Sequence, residues 1–171
     1  MGYTHDTSMA LFIPPSLFHH VTGTWTMAAG AVPGTICKTV NDANQTSVTN
    51  IPIIVPSNAA GLKGSYLKSI EIDYQVLNAA MTAVTAVVNK VTRGADGAIA
   101  AVVAQTFTYD TGHDAAGERI DVDEHKMTLT ITTPFWIDND EVVLVELTID
   151  QAGDTGVVNL LGAIANYTLR V

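Results

Sequence analysis

The chain has 171 residues, the length of one ordinary domain, which is long enough to bury a large core without disulfides. Seventeen acidic and eight basic side chains give a net charge of −9, and the basic residues are scattered, which excludes the clustered positive surface of a nucleic-acid-binding protein. The single cysteine, Cys37, excludes an intramolecular disulfide and a cysteine-based zinc site. Charged residues make up only 15% of the chain, so we expect neutral surface to be buried against partners.

Residues 1–20 are predicted to form an extended N-terminal arm, followed by a single β-sandwich domain over residues 21–171. The arm has no sustained periodicity, and Pro14-Pro15 favours extended backbone. It either lies over its own domain or carries its apolar side chains onto a neighbouring subunit; these are Leu11, Phe12, Ile13, Leu17 and Phe18. Because the first twenty residues contain no Lys or Arg, no secretory signal is expected, and the prolines and glycines up to residue 37 are atypical of a membrane helix.

Strand signals begin at residue 21. Residues 21–27 and 35–40 are predicted strands with a turn at 29–34 between them. Residues 48–55 form an apolar, β-branched run that contains Pro52, which predicts an edge strand or a bulge because proline cannot donate to a neighbouring strand.

Residues 62–76 predict a long strand. One face carries Tyr66, Ile70, Ile72, Tyr74 and Val76, and the other carries polar residues. Since Lys68 lies among the apolar positions, that end of the strand is expected to reach an edge where the ammonium group leaves the core.

Residues 77–91 give conflicting signals. Their apolar residues recur at helical spacing, whereas their valines and threonines favour a strand, and we predict a strand. A turn at 93–97 and a strand over 99–109 would complete a hairpin. Residues 110–117 form a polar loop that we expect at a tip.

Residues 126–150 show the clearest alternation in the chain. Met127, Leu129 and Ile131 alternate with threonines, and after a turn at 138–141 a second alternating run begins at Val143. We interpret this segment as a half-buried antiparallel hairpin. Residues 157–171 contain the closing strands, with Gly162 marking a bend or a close backbone approach. Eight or more strands and no firm helix predict an all-β fold, an antiparallel β-sandwich or jelly roll.

Catalytic and metal-binding patterns are weak. Asp121 and Asp123 would share one face of a strand, and Asp138-Asn139-Asp140 lacks the glycine and distal glutamate of a calcium loop, so solvent exposure and a turn explain them better. The five histidines have no metalloprotease spacing, and no nucleotide-binding or nucleophile motif is present. We therefore expect neither an enzyme nor a cofactor, leaving open a metal shared between symmetry-related histidines.

Aromatic residues are sparse, at 6% of the chain, which does not favour a sugar-stacking surface. Phe135 and Trp136 lie where large apolar side chains approach the end of a loop, which favours core closure, with a binding patch as the alternative. Together with His113 in the polar loop, they are the candidate loop contacts to a ligand.

Two stretches resemble small β-rich virion proteins of tailed bacteriophages: residues 127–141, reading MTLTITTPFWIDNDE, and residues 162–168, reading GAIANYT. The likeness extends loosely over residues 67–171 in pattern and composition. Such proteins are jelly-roll or sandwich modules that decorate or cement capsids, often as trimers, or form knobs and fibre domains at the tail. The resemblance brings no catalytic residues with it.

The resulting expectation is a structural virion protein that binds the major capsid protein or other virion proteins as a homo-oligomer, with a trimer favoured, and that contacts neither nucleic acid nor membrane. In this interpretation the arm anchors the protein to the particle. The alternative is a tail-associated module that binds a receptor or a glycan through its loops.

Overall fold

The computed structural model describes residues 5–27, 37–39, 45–56, 64–151, 153 and 155–170. The predicted turn at 29–34 and the side chain of Cys37 lie outside this part of the chain. Of the described residues, most are in β-strands, and two short 3-10 helices cover Pro15–Leu17 and Gly117–Arg119. The described strands are β1 (Asp6–Ile13), β2 (His19–Thr22), β3 (Trp25–Met27), β4 (Cys37–Thr39), β5 (Thr46–Ile53), β6 (Ser65–Leu77), β7 (Ala83–Arg93), β8 (Ile99–Gln105), β9 (Phe107–Tyr109), β10 (Glu124–Ile137), β11 (Glu141–Asp150) and β12 (Val157–Arg170).

Two antiparallel sheets pack face to face. The seven-stranded sheet has the order β3-β4-β12-β6-β10-β9, with β1 also paired to β12, and the five-stranded sheet has the order β2-β5-β11-β7-β8. Alternating residues of both sheets fill the space between them, among them Ile72, Leu129, Val145 and Leu160, all fully buried. The predicted antiparallel β-sandwich is confirmed.

The alternation over residues 126–150 marks two strands as predicted, but the predicted hairpin is wrong. β10 pairs with β6 and β9 in one sheet, whereas β11 pairs with β5 and β7 in the other. The turn, in which the Glu141 N–H donates to the Asp138 carbonyl at 3.1 Å, therefore carries the chain from one sheet to the other. Leu129 in one sheet and Val145 in the other both point into the core between the sheets. Strands that face each other in this way show the same alternation of apolar and polar residues as a hairpin does.

The ambiguous segment after β6 is a strand, as predicted. β7 pairs with β8 in the expected hairpin and with β11 on its other side. The run predicted as one strand over 99–109 is divided at Thr106, because β8 stays in the five-stranded sheet and β9 joins β10 in the other.

Residues 6–22 are integral to the sandwich, so the predicted arm lies over its own domain, which is the first of its two alternatives. β1 pairs with β12 along its whole length, from Asp6 opposite Arg170 to Ile13 opposite Ala163, and β2 pairs with β5. Ile13 and Phe18 lie in the core of their own chain, so they are not available to a partner. Leu11 is half-buried, while Phe12 and Leu17 remain exposed.

Two local predictions about special residues hold. Pro52 lies on β5 beyond the point where β2 stops pairing, since β2 reaches only Asn50. Gly162 follows a register shift in the pairing of β12 with β6, which is the predicted bend. A third needs correction, because Leu67 rather than Tyr66 faces the core. The register between β6 and β12 shifts a second time, between Asn166 and Tyr167 of β12, and this shift changes which side chains of β6 point inward.

Candidate functional site

The first candidate site is a pocket on the outer face of the seven-stranded sheet. Trp136 on β10 is the cross-strand partner of Tyr66 on β6, and the two rings lie 5.0 Å apart at 45°. The register of β10 shifts between Thr130 and Phe135, and this irregularity brings Trp136 to the outer face opposite Tyr66. The pocket has a volume of about 350 Å³ and is lined by Asp6, Tyr66, Lys68, Trp136, Thr168 and Arg170.

Charged groups flank the two rings. The Arg170 guanidinium lies 5.0 Å over the Trp136 ring and donates two hydrogen bonds to the Asp6 carboxylate, at 2.7 and 2.9 Å. These hydrogen bonds from Arg170 lower the pKa of Asp6 below its usual value. Lys68 is exposed beside them, as predicted for that end of β6. The pocket thus combines a tilted aromatic surface with hydrogen-bonding groups, which suits a flat ring with polar substituents.

The second candidate site is an exposed apolar row on the outer face of the five-stranded sheet. Val142 on β11 pairs with Val91 on β7, which pairs in turn with Val102 on β8. Ile54, directly after β5, lies at the same end of the sheet as Val142, since Ile53 pairs with Val143. Val142 is 36% exposed, Ile54 52% and Val102 59%. We call Ile54, Val142, Val91 and Val102 the apolar row.

The outer face of the other sheet has the opposite character. Lys126 on β10 contacts Glu71 on β6 at 2.8 Å, and Asn166 on β12 donates to the same carboxylate at 3.1 Å. The hydrogen bond from Lys126 lowers the pKa of Glu71. Gln75 and Asn159 continue this pattern of cross-strand hydrogen bonds. The outer face of the seven-stranded sheet is therefore well suited to contact with water, whereas the outer face of the five-stranded sheet exposes the apolar row.

A third group closes one end of the sandwich. The buried Arg119 side chain donates to the carbonyl oxygens of Val84, at 3.1 Å, and of His113 and Asp114. Its guanidinium also lies 4.2 Å over the Tyr109 ring. Because its hydrogen bonds go to the backbone, Arg119 fixes the loop after β9 against β7.

The same end holds a chain of histidine contacts. His113 Nδ1 lies 2.8 Å from the Asp110 carboxylate, and its Nε2 lies 3.3 Å from His125 Nδ1. His125 also stacks on Tyr74, with ring centroids 4.6 Å apart. His113 is buried, so it does not lie at an exposed tip as predicted for a loop contact. These groups are linked to one another and to the backbone, and their arrangement is that of a structural network.

The structure separates the predicted loop contacts. Trp136 lines the aromatic pocket, Phe135 is half-buried against the core beneath the Lys90 ammonium, and His113 is inside the end of the sandwich. Tyr66 and Arg170 were not among the predicted site residues; the signals for this site were the aromatic side chain of Tyr66 and the placement of Lys68 at an edge of β6. Among the described residues no group of three or more His, Cys, Asp and Glu side chains is placed to hold a metal ion. The described part of the chain also contains no helix long and apolar enough to cross a membrane.

Comparison with protein-family models gives no match, and comparison with curated proteins also gives none. Solved structures with similar folds include carbohydrate-binding modules from the β-sandwich superfamily, at 11% identity and a TM-score of 0.44, and a module specific for non-crystalline cellulose, at 9% identity and 0.39. A family two carbohydrate esterase from Cellvibrio japonicus is similar at 8% identity and 0.39.

The alignments cover 95%, 90% and 98% of this chain respectively. The chain spans 56% of the first structure, 86% of the second and 36% of the third. At these identities and TM-scores, no ligand or activity is transferred to this chain.

Proposed function

We propose that this chain is a structural virion protein of a tailed bacteriophage, a decoration or cement subunit that binds the major capsid protein or other virion proteins as part of a homo-oligomer. The resemblance in residues 127–141 and 162–168 supplies the biological setting. The observation that carries the assembly role is the apolar row on the five-stranded sheet.

The row suits a protein partner for a physical reason. Each valine or isoleucine moved from water into a contact contributes on the order of 1 kcal/mol or more, and the row offers several side by side on neighbouring strands. Across the other sheet, charged and amide side chains already satisfy one another, as between Lys126 and Glu71. The subunit would thus turn its apolar row to the particle and its polar face to solvent.

The test has two stages. Mass spectrometry of purified phage particles should detect the chain, and electron cryomicroscopy should place it on the head in many copies. Particles depleted of the protein should then rebind the wild type, while Val142→Lys should lower occupancy at least about tenfold because it brings an ammonium group into the apolar row.

Thr130→Lys is the matched control, since Thr130 is exposed on the outer face of the opposite sheet. It should rebind like the wild type. Absence of the chain from particles contradicts the virion role; equal binding by Val142→Lys contradicts the use of this face.

A second candidate function, glycan or receptor binding, is favoured by the aromatic pocket. Tyr66 and Trp136 offer ring surface for the apolar face of a sugar. The polar side chains of Asp6, Arg170 and Lys68 line the same pocket and would hydrogen-bond its hydroxyl groups. Sugar-binding sites commonly combine these two features, and the pocket is open to solvent on the polar face of the sandwich.

Glycan arrays test this candidate with Trp136→Ala, which removes the larger ring. Binding that falls at least about tenfold in Trp136→Ala but persists in Trp25→Ala supports the pocket, since Trp25 stacks on His20 outside the residues that line the pocket. No signal for the wild type across arrays and host cells counts against it.

A further inference from the structure

β8 is unusual among the longer strands because both of its faces are open to solvent. Residues 99–104 are all exposed, and the large side chains among them reach 69% for Ile99, 59% for Val102 and 51% for Val103. Apolar side chains this open on both faces of a strand lose the stabilisation that burial supplies. A strand paired along the open edge would place further side chains beside those of β8 on both faces.

One backbone edge of β8 is also unpaired within the described part of the chain. β8 pairs with β7 on one side, and it ends the order of the five-stranded sheet. The Arg93 N–H donates to the Asp140 carbonyl on the β11 side, so by alternation Lys90 and Thr92 direct their backbone groups toward β8. Val103 and Ala101, which lie opposite Lys90 and Thr92, direct their backbone N–H and C=O groups toward β7. The backbone groups of Val102 and Ala104 therefore point to the free edge.

β8 lacks most of the devices that keep edge strands apart, and its one irregularity in pairing with β7 lies near its start, between Ile99 and Ala101. Edge strands are ordinarily protected by charged side chains, proline or short length. β2, at the other edge of this sheet, has only four residues and two of them are histidines. β8 has seven residues, reading IAAVVAQ, without an ionisable side chain or a proline.

We propose that β8 pairs antiparallel with β8 of a second copy of this chain, about a two-fold axis at Val102. The pairing would join two five-stranded sheets into one continuous sheet. This inference deepens the proposed function by naming a partner of the subunit, and it rests on that function for its biological role.

Charge favours a second copy at this strand. Each chain carries a net charge of −9, so copies repel one another over most of their surface. A strand of this length without ionisable groups lets them meet with no like charges in opposition. Across a two-fold axis, β8 must be complementary to its own sequence. Its alanine and valine side chains would meet alanine and valine of the second copy, which satisfies this requirement on both faces.

The register follows from the backbone and from the apolar row. Because the backbone groups of Val102 point to the free edge, a two-fold axis at this residue makes Val102 and its symmetry mate a hydrogen-bonded pair, and Ala104 then lies opposite Ala100 of the second copy. The row from Val142 through Val91 to Val102 would continue without interruption into the same row of the second copy. The dimer thereby presents an apolar row of twice the length.

Sedimentation of the purified full chain over a dilution series tests the pairing without any virus particle. The wild type should sediment as a dimer. Val102→Lys and Val102→Glu should each raise the dissociation constant at least about tenfold, because two like charges meet on the axis, and an equimolar mixture of the two variants should recover the dimer.

Val122→Lys is the matched control, a change of the same kind at a valine that is 53% exposed outside the strands. It should dimerise like the wild type, and thermal unfolding should show that all variants fold. A monomeric wild type, a trimer, or a dimer that Val102→Lys leaves intact overturns the proposal. Because the presence of the chain in particles is measured separately, the sedimentation result tests the dimer even if the proposed virion role is wrong.

Cysteine cross-linking tests the register. In a Cys37→Ser background, Val102→Cys should form a disulfide-linked dimer on mild oxidation, since hydrogen-bonded antiparallel partners have α-carbons about 5.5 Å apart. Ala104→Cys should not, because its partner in this register is Ala100. Efficient cross-linking at 104 but not at 102 overturns the axis position.

Discussion

The ring of Phe12 lies against the backbone of Gly162. A β-carbon placed on Gly162 would come within 2.6 Å of Phe12 Cζ, closer than real β-carbons approach carbon atoms. Gly162 also has a φ of +149°, a conformation that side chains with a β-carbon rarely adopt. β1 therefore packs on β12 through a site where only glycine fits, which ties the N-terminal strand to the domain.

The first prediction is that Gly162→Ala destabilises the protein by about 2–4 kcal/mol, combining backbone strain with overlap against the Phe12 ring. Urea unfolding measures the change. Gly97→Ala is the control, because Gly97 also has a positive φ, +83°, but no atoms lie within 4 Å of the added β-carbon. If both variants lose the same stability, the contact with Phe12 has no energetic weight; if Phe12→Ala relieves part of the loss in Gly162→Ala, the overlap is real.

Sequence alternation predicted most of the side chains that face the core, with Tyr66 as an exception, but not which strands are neighbours. Met127 and Leu129 on β10, and Val143 and Val145 on β11, are all fully buried, as the period of two indicates. That period is the same whether two consecutive strands pair edge to edge or face each other across the core. The difference lies in the path of the turn at 138–141, which the local sequence does not reveal.

The candidate sites were predictable only in part for a similar reason. Trp136 was singled out, yet its partners Tyr66 and Arg170 come from strands distant in the chain, and a register shift in β10 creates their meeting. The apolar row likewise joins Val142 to Val91 and Val102 across three strands. Such surfaces depend on sheet order, which single-strand patterns do not contain.

The second prediction concerns Tyr74, whose buried hydroxyl donates to the Arg119 carbonyl at 2.8 Å. Burial raises the pKa of Tyr74 well above that of an ordinary phenol, so the hydroxyl stays protonated and remains a donor at neutral pH. Tyr74→Phe leaves the buried carbonyl without this partner and should cost about 1–3 kcal/mol in urea unfolding. Tyr66→Phe, at a half-exposed position, should change stability by less than about 0.5 kcal/mol. Equal effects would remove the structural role assigned to this hydrogen bond.

The third prediction concerns Lys90 and Glu141, whose charged atoms lie 2.6 Å apart near the Phe135 ring. Burial raises the pKa of Glu141, but hydrogen bonds from the Asp138 N–H and from Lys90 outweigh it and lower the pKa overall. Lys90→Met removes the cation and should destabilise the protein by about 1–2 kcal/mol.

A double-mutant cycle with Glu141→Gln provides the measurement for this pair. Because the glutamine needs no counter-ion, Lys90→Met should cost less in that background than in the wild type. Additive effects of the two substitutions would mean that the ion pair contributes nothing to stability.

The fourth prediction concerns the pH dependence that Asp110 confers. Burial raises the pKa of Asp110, but its carboxylate accepts hydrogen bonds from the Thr128 N–H at 2.6 Å, from His113 at 2.8 Å and from the Gly112 N–H at 3.0 Å, and these lower the pKa overall. A carboxyl whose pKa is lower in the folded than in the unfolded chain adds stability above the unfolded value, about 3.9, and loses it as the pH falls through the folded value.

Asp110→Asn should therefore cost about 1–2 kcal/mol at pH 7, through its weaker hydrogen bonds. The difference from the wild type should begin to shrink as the pH falls below about 4, where the unfolded chain takes up the proton, and should be smallest once the pH has passed through the lower folded pKa of Asp110. Urea unfolding at a series of pH values measures this, with Asp121→Asn, at an exposed aspartate, as the control that should show no such trend. A difference between wild type and Asp110→Asn that stays constant from neutral to acid pH would show that the charge of Asp110 does not stabilise the end of the sandwich.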